Sequence, residues 1–199
     1  LVGPGVLIPR PETECVVQEA LATVRAAGRS VLRVADVGTG SGILPSTLAL
    51  ELQGPTFVAT DISNEALTIA RGNAAAHGVS SRISFVETSY LEGVAGPFDL
   101  VVSNPPYVCD TAAPELQPEV GAFEPPTALF GGPDGLRDIR AVATAAVGAL
   151  APGGTLVLEI GWDQAAAVTA LLEATGALDV IRLRHDLQGH PRVVVAARR

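Results

Sequence analysis

Val31-Leu32-Arg33-Val34-Ala35-Asp36-Val37-Gly38-Thr39-Gly40-Ser41-Gly42 is the stretch whose reading sets the fold. Its first half is mostly apolar and strand-length, as expected of a buried strand. The three glycines then form a turn that lets backbone approach a ligand at the carboxyl edge of a sheet. Apolar Ile43 to Leu52 reads as a helix, with Pro45 in its first turn, where a missing N–H does no harm. Strand, glycine turn and helix in this order begin an α/β parallel sheet.

The alternation continues along the chain. Thr56 to Thr60, Arg82 to Val86, Phe98 to Ser103 and Thr155 to Ile160 are further strands. A helix follows Pro9 to Glu14, with Val16, Val17, Ala20, Leu21 and Val24 on one face and the acids Glu12 and Glu14 complementing its dipole. Others carry Leu67, Ala70 and Ala74, span Gly135 to Leu150, and span Asp163 to Thr175. Strands at 178–185 and 192–197 are separated by a short turn, Gln188 to Pro191, so they pair antiparallel. The expectation is one domain over residues 1–199, with a mostly parallel, seven-stranded, Rossmann-like sheet ending in an antiparallel strand. Residues 1–10, apolar and broken by Gly and Pro, are expected to be a leader strand or hairpin remnant. Residues 108–134 form a Pro/Gly-rich loop of a length that usually serves function or mobility.

Composition narrows the chemistry. The chain has 199 residues, 48% of them hydrophobic, enough for a substantial core. A net charge of −8 argues against affinity built on phosphate neutralisation, so no direct nucleic-acid partner is expected. All 13 basic residues are Arg, which rules out a Schiff-base or P-loop lysine. Cys15 and Cys109 lie far apart, so reduced thiols are expected, with no metal site. No apolar run is long enough to span a membrane, and the start lacks signal-peptide character, so a cytoplasmic location without a membrane partner is expected. The sequence has no Met and is read as a piece excised from, or begun within, a longer reading frame.

Two constellations carry chemistry. In Gly38-x-Gly40-x-Gly42 a dinucleotide fingerprint would want its third glycine at position 43, which is Ile43. The tighter spacing suits S-adenosyl-L-methionine better than NAD. Asp36 precedes the loop, and Asp61 ends the next strand, where a carboxylate can hold two ribose hydroxyls. The alternative is a purely structural strand-to-helix turn. Asn104-Pro105-Pro106-Tyr107 falls at the same sheet edge. Its prolines fix the backbone and bring no N–H, Asn104 adds a carbonyl, and Tyr107 is expected to act as an aromatic lid. Such a pocket suits a planar NH2; the alternative is a proline turn with a satisfied Asn. Beside a methyl donor it implies transfer to nitrogen. Asn104 Oδ1 and the Pro105 carbonyl would hold both N–H groups and aim a poorly nucleophilic nitrogen. His77, His185 and His190 lie outside these motifs and are assigned to the surface.

Taken together, VLIPRPETE (6–14), DVGTGSG (36–42), TDIS (60–63), VSNPPY (102–107), FEPPTALFGGPDGL (123–136) and LEIGW (158–162) resemble the HemK/PrmC family of peptide chain release factor glutamine methyltransferases. The NPPY element is shared with nucleic-acid amino-methyltransferases, whereas the PRPETE and FEP elements are more specific. The resemblance implies an adenosylmethionine-dependent methyltransferase fold and methylation of the glutamine amide nitrogen in a GGQ tripeptide of a release factor. It makes Asp36, Gly38, Thr39, Gly40, Ser41, Gly42, Asp61, Ile62, Ser89, Tyr90 and Asn104 the cofactor-binding candidates. Asn104, Pro105, Pro106 and Tyr107 become the substrate-binding set, with Arg10 and Glu124, and Thr13 and Glu14 shaping the surroundings. Asn104, Pro105 and Tyr107 are the catalytic candidates. The family's N-terminal helical domain, which helps dock the release factor, would precede residue 1. The chain departs from the family at Ser89-Tyr90, where an acid often receives the adenine amine; Tyr90 can still stack on the base. Two other functions fit the residues: amino-methylation of adenine or guanine in nucleic acid, and an impaired adenosylmethionine-binding domain.

Overall fold

The computed structural model describes residues 1–3, 5–28, 32–115 and 124–199. Its centre is a seven-stranded sheet in the order β3-β2-β1-β4-β5-β7-β6. The strands are β1 (Arg33–Val37), β2 (Thr56–Asp61), β3 (Ile83–Glu87), β4 (Phe98–Ser103), β5 (Leu150–Glu159), β6 (Leu178–His185) and β7 (Pro191–Arg198). β1 to β5 pair in parallel, and β7 is antiparallel to both β5 and β6, as the short turn requires.

Side chains alternate across the sheet. Val34, Leu100, Val102, Val157, Val193 and Val195 face α1 (Thr13–Ala27) and α2 (Ile43–Glu51). Ala35, Val101, Leu156, Leu158, Val194 and Ala196 face α5 (Arg137–Ala149) and α6 (Ala165–Ala174). With both faces covered, the central strands are apolar throughout, which is why their runs are continuous in the sequence. α3 (Asn64–Ala76) is capped by Ser63, whose hydroxyl accepts from the Ala66 amide at 3.2 Å. A four-residue helix, α4 (Pro126–Leu129), lies in the long loop, which also holds a 3-10 turn at Asp110–Glu115.

Several boundaries differ from expectation. The described residues of 1–10 form no strand; a turn at Gly5 and Val6 is followed by chain without regular structure. Gly and Pro remove the ladder donors and conformational bias that a strand would need. β1 begins at Arg33, and its expected start at Val31 lies outside the described residues. β5 begins at Leu150, before Pro152-Gly153-Gly154, which is absorbed by a register shift against β4 between Phe98 and Leu100. α5 starts at Arg137, two residues later than expected, because Gly135 sits at φ +69°. Residues 116–123 of the long loop, including Phe123 of the family-like motif, lie outside the described residues.

From β1 the chain runs outward through β2 and β3, then returns to β4 on β1's other side. The order therefore reverses between β1 and β4. In open α/β sheets a ligand crevice forms outside the carboxyl ends of strands at such a point.

Candidate active site

A cavity of about 200 Å³ lies at that point. The loops after β1, β2 and β4 line it through Gly38 to Ser41, Asp61 to Ser63, and Ser103 to Pro106. Gly5 to Leu7, Pro9, Pro125 and Thr127 supply other walls, so the leader segment and α4 converge on the same space.

On the glycine side, Gly38 and Gly40 take φ +72° and +53°, and a Cβ on either would meet nothing within 4 Å. Their glycine identity serves left-handed backbone beside open space, a cradle for a ligand. Gly42 does something else. It is absent from the lining, and its Cβ position lies 2.9 Å from the Ala70 Cβ, so it permits close packing of α2 on α3. Asp61 accepts from the Gly40 amide through Oδ2 and from the Ser63 amide through Oδ1, each at 2.9 Å. Both oxygens keep lone pairs for further donors. Ile62 lines the cavity and is 63% exposed, so its apolar side chain is available to a planar ring. Ser89 and Tyr90 also line it.

Asp36 is fully buried and lies beneath the loop, off the cavity wall. Neither carboxylate oxygen receives a hydrogen bond, and the buried Thr39 hydroxyl is likewise unpartnered. Burial pushes the Asp36 carboxyl up to about 7, and the negative Asp61 adds to the rise. The Thr39 hydroxyl is near enough to oppose the shift but lies outside hydrogen-bonding geometry.

Tyr90 takes φ +52°, and its hydroxyl donates to Asp138 Oδ1 at 2.7 Å. Asp138, in the first turn of α5, also lines the cavity and pairs with Arg137 through Oδ2 at 2.9 Å. It is a site residue the sequence reading missed, because an acid in a first helical turn reads only as a dipole complement.

The proline turn is held from behind. The Asn104 Nδ2 donates to Thr13 Oγ1 at 3.1 Å, and that hydroxyl donates to Glu159 Oε2 at 2.8 Å. Among the described residues nothing donates to Asn104 Oδ1 or to the Pro105 carbonyl, and both residues line the cavity with Pro106. Tyr107 is not the expected lid. It is absent from the lining, its ring packs on the core, and its hydroxyl donates to Glu159 Oε1 at 3.2 Å. Burial between the core and Glu159 raises the Tyr107 phenol. Glu159 is fully buried at the end of β5, and burial pushes it up to about 7 against the pull of the Thr13 and Tyr107 hydroxyls. Sequence reading quoted Glu159 within LEIGW without giving it a role. Its visible signal is a charged residue ending an apolar central strand, which must find partners.

The backbone of the turn is cradled by the second glycine cluster. A Cβ on Gly131 would lie 2.6 Å from the Pro106 carbonyl, and one on Gly135 would collide with the Tyr107 carbonyl. Gln164 Nε2 donates to that Tyr107 carbonyl at 3.0 Å, and its Oε1 accepts from the Gly161 amide at 2.9 Å. Arg10, expected beside the substrate, is instead paired with buried Glu124 at 2.5 Å; neither lines the cavity. The pair ties the leader segment to the start of α4, which supply two of its walls. Glu14 bonds Gln18 on the surface. All three histidines are exposed. Among the described residues no cluster of three or more His, Cys, Asp or Glu could hold a metal, and no helix is long and apolar enough to cross a membrane.

Residues 19–117 match the methyltransferase small domain family. A release factor glutamine methyltransferase of Xylella fastidiosa (strain Temecula1) is 46% identical over 98% of this chain and 70% of its own length. The chain belongs to the release factor glutamine methyltransferase family. A second member, from Bradyrhizobium diazoefficiens, is 44% identical over 96% of this chain, which spans 64% of that protein. A solved ribosomal protein L11 methylase from Lactobacillus delbrueckii subsp. bulgaricus shares the fold, with a TM-score of 0.70 over 98% of this chain and 82% of that one, at 24% identity. The Rossmann-like methyltransferase fold thus carries the Gly38 to Gly42 loop on one side of the switch point and the Asn104 to Tyr107 turn on the other.

Proposed function

We propose that this chain is the catalytic domain of an S-adenosyl-L-methionine-dependent methyltransferase that modifies the amide nitrogen of the GGQ glutamine in a peptide chain release factor, in the cytoplasm. The observation that carries the reading is that Asn104 and Pro105, whose Oδ1 and carbonyl receive no hydrogen bond from the described residues, line the same cavity as the glycine cradle.

The cavity residues fit the cofactor. Gly38 to Ser41 offer room for its amino-acid end, and Asp61 keeps acceptor capacity for two ribose hydroxyls. Ile62, Ser89 and Tyr90 line the cavity, which supports a reading in which Ile62 and Tyr90 would flank the adenine with Ser89 at its edge. When bound, adenosylmethionine supplies an electrophilic methyl on a sulfonium sulfur. The chain's own contribution is positional. Asn104 and Pro105 accept the two N–H protons of the glutamine amide, raise electron density at nitrogen and fix its approach. Pro106 shapes the turn, and Tyr107 holds it through Glu159. Transfer would exchange the methyl–sulfur bond for the new N–C bond, the electron pair leaving on sulfur as the neutral thioether S-adenosylhomocysteine; one amide proton must also leave, and Asn104 and Pro105 would stabilise the positive charge developing on that N–H before the proton passes to solvent.

Labelled adenosylmethionine with a purified release factor tests this reading. Label should appear on the GGQ glutamine and vanish when that residue is replaced by alanine. Label that persists in the replaced factor, or that goes to RNA or DNA instead, overturns it.

A further inference from the structure

The hydrogen-bond chain behind the proline turn has a direction, and the direction has a consequence. Thr13 has one hydroxyl proton, and an ionised Glu159 can only accept, so that proton is committed to Glu159 Oε2 at 2.8 Å. Towards Asn104, Thr13 Oγ1 is therefore an acceptor only. The partner it accepts at 3.1 Å must be the amide NH2, not the amide oxygen. Glu159 is pinned on its other side by the Tyr107 hydroxyl at 3.2 Å. Asn and Gln amides are nearly symmetric in shape, and only their hydrogen-bond partners decide which end points where.

We propose that Glu159 and Thr13 are positioning residues that set the rotamer of the Asn104 amide, holding its oxygen to the cavity and its NH2 to the protein. The inference deepens the glutamine-amide reading and rests on it. An Asn104 turned end for end would present a donor to the substrate NH2 and repel it; held by Thr13, it presents an acceptor. The pocket then accepts a group with two N–H donors and rejects a carboxylate, so glutamine is distinguished from glutamate at the Glu159 end of the relay. Protonation of Glu159 changes the rule, because a carboxylic acid can donate to Thr13 and free the Thr13 proton to turn towards Asn104. The other groups bearing on Glu159 are Glu12 at the N-cap of α1, Cys15 on α1, Tyr107 after β4 and Arg192 on β7. Among the described residues none of these bonds the Thr13 hydroxyl, which joins Glu159 directly.

The relay can be read without turnover, by the side-chain NH2 resonances of Asn104 in the ligand-free chain, assigned by their loss in Asn104→Asp. At pH 8 one proton of the pair should be protected from exchange, and the pair should shift as the pH falls through about 7. Thr13→Val should abolish both the protection and the shift, Thr13→Ser should keep them, and Glu159→Gln should flatten the pH dependence. In methyl transfer, Thr13→Val should lower kcat on the order of 10- to 100-fold, the effect of a misplaced contact, with adenosylmethionine Kd unchanged and Thr13→Ser near wild type. Asn104 resonances that ignore both pH and Thr13→Val overturn the relay, whatever the turnover data show. Should Thr13→Val not fold, the wild-type titration and Thr13→Ser decide alone. A wild-type chain that shows the resonance pattern yet labels no release factor keeps the relay and removes the glutamine reading.

Discussion

β1 and β5 each carry a buried acid at or near the carboxyl end, behind the cavity wall, and they treat it in opposite ways. Asp36 closes towards the glycine loop with no hydrogen bond to either oxygen, whereas Glu159 is held by the Thr13 and Tyr107 hydroxyls. The same division runs through the whole site. On the glycine side the backbone is left-handed, the Cβ directions are open, and Asp61 keeps spare acceptor capacity. On the proline side the backbone is packed against glycines and the side chains are locked in a relay. One half is shaped to be completed by a ligand, and the other is complete before a ligand arrives. The most direct way to break this contrast is to damage each half and see which constant moves. Asn104→Ala should lower methyl transfer on the order of 10³-fold, the size expected for a lost polar contact to the reacting group. Its affinity for adenosylmethionine, measured by calorimetry, should stay within a few-fold. Asp61→Ala should do the reverse first, weakening the cofactor about 10- to 100-fold. Parallel loss of both constants in both variants would mean the halves are not separate.

Stability should divide along the same line. Gly135→Ala forces a Cβ into the Tyr107 carbonyl at a residue already at φ +69°, with backbone on both sides of the clash. We expect a loss of about 2–4 kcal/mol in denaturant unfolding, the range for overpacking combined with a strained φ. Gly38→Ala keeps only the conformational cost, about 1 kcal/mol, because nothing lies within 4 Å of the added Cβ. Equal destabilisation would erase the distinction between a cradle for ligand and a cradle for backbone.

The glycine half was legible because its signals are local. A strand, Gly38-x-Gly40-x-Gly42 and a helix declare themselves within about twenty residues, and Asp61 follows at the next strand end. Asn104 to Pro106 were equally local. The supports of the proline half were not. Thr13 and Glu159 are 146 residues apart in sequence and meet only because α1 packs over β4 and β5. A flat ring with a polar tip after two prolines suits an aromatic lid, yet the turn sends Tyr107 inward to Glu159. Gly42 and Asp36 follow the loop motif but face structure, α3 in one case and the space beneath the loop in the other. Arg10 and Glu124, far apart in sequence and expected beside the substrate by resemblance alone, are paired with each other, a partnership neither motif shows by itself. A motif marks which residues travel together; which way each points depends on partners far along the chain.

The contrast can also be sharpened at the two acids themselves. Burial raises Asp36 from 3.8 and Glu159 from 4.5, each to about 7. Between those values the folded chain holds protons that the unfolded chain has released. Stability from these groups is therefore fully present below about pH 4 and is lost as pH rises through about 7. Asp186, which its hydrogen bond to Arg192 lowers to about 2, acts with the opposite sign and in a separate window, losing its contribution only as pH falls below about 4. The ligand-free chain should thus melt at a lower temperature at pH 8 than at pH 5. Asp36→Asn removes the uncompensated charge and should raise stability at pH 8 on the order of 1–3 kcal/mol while leaving pH 4 nearly unchanged, since one pKa unit is about 1.4 kcal/mol. Glu159→Gln should gain less at pH 8, because its charge already receives two hydroxyl donors that an amide serves less well. Added adenosylmethionine should narrow the gap between wild type and Asp36→Asn if the glycine half is completed by its ligand. A gap that stays the same with the cofactor bound would mean that Asp36 does not respond to the ligand and serves the fold alone.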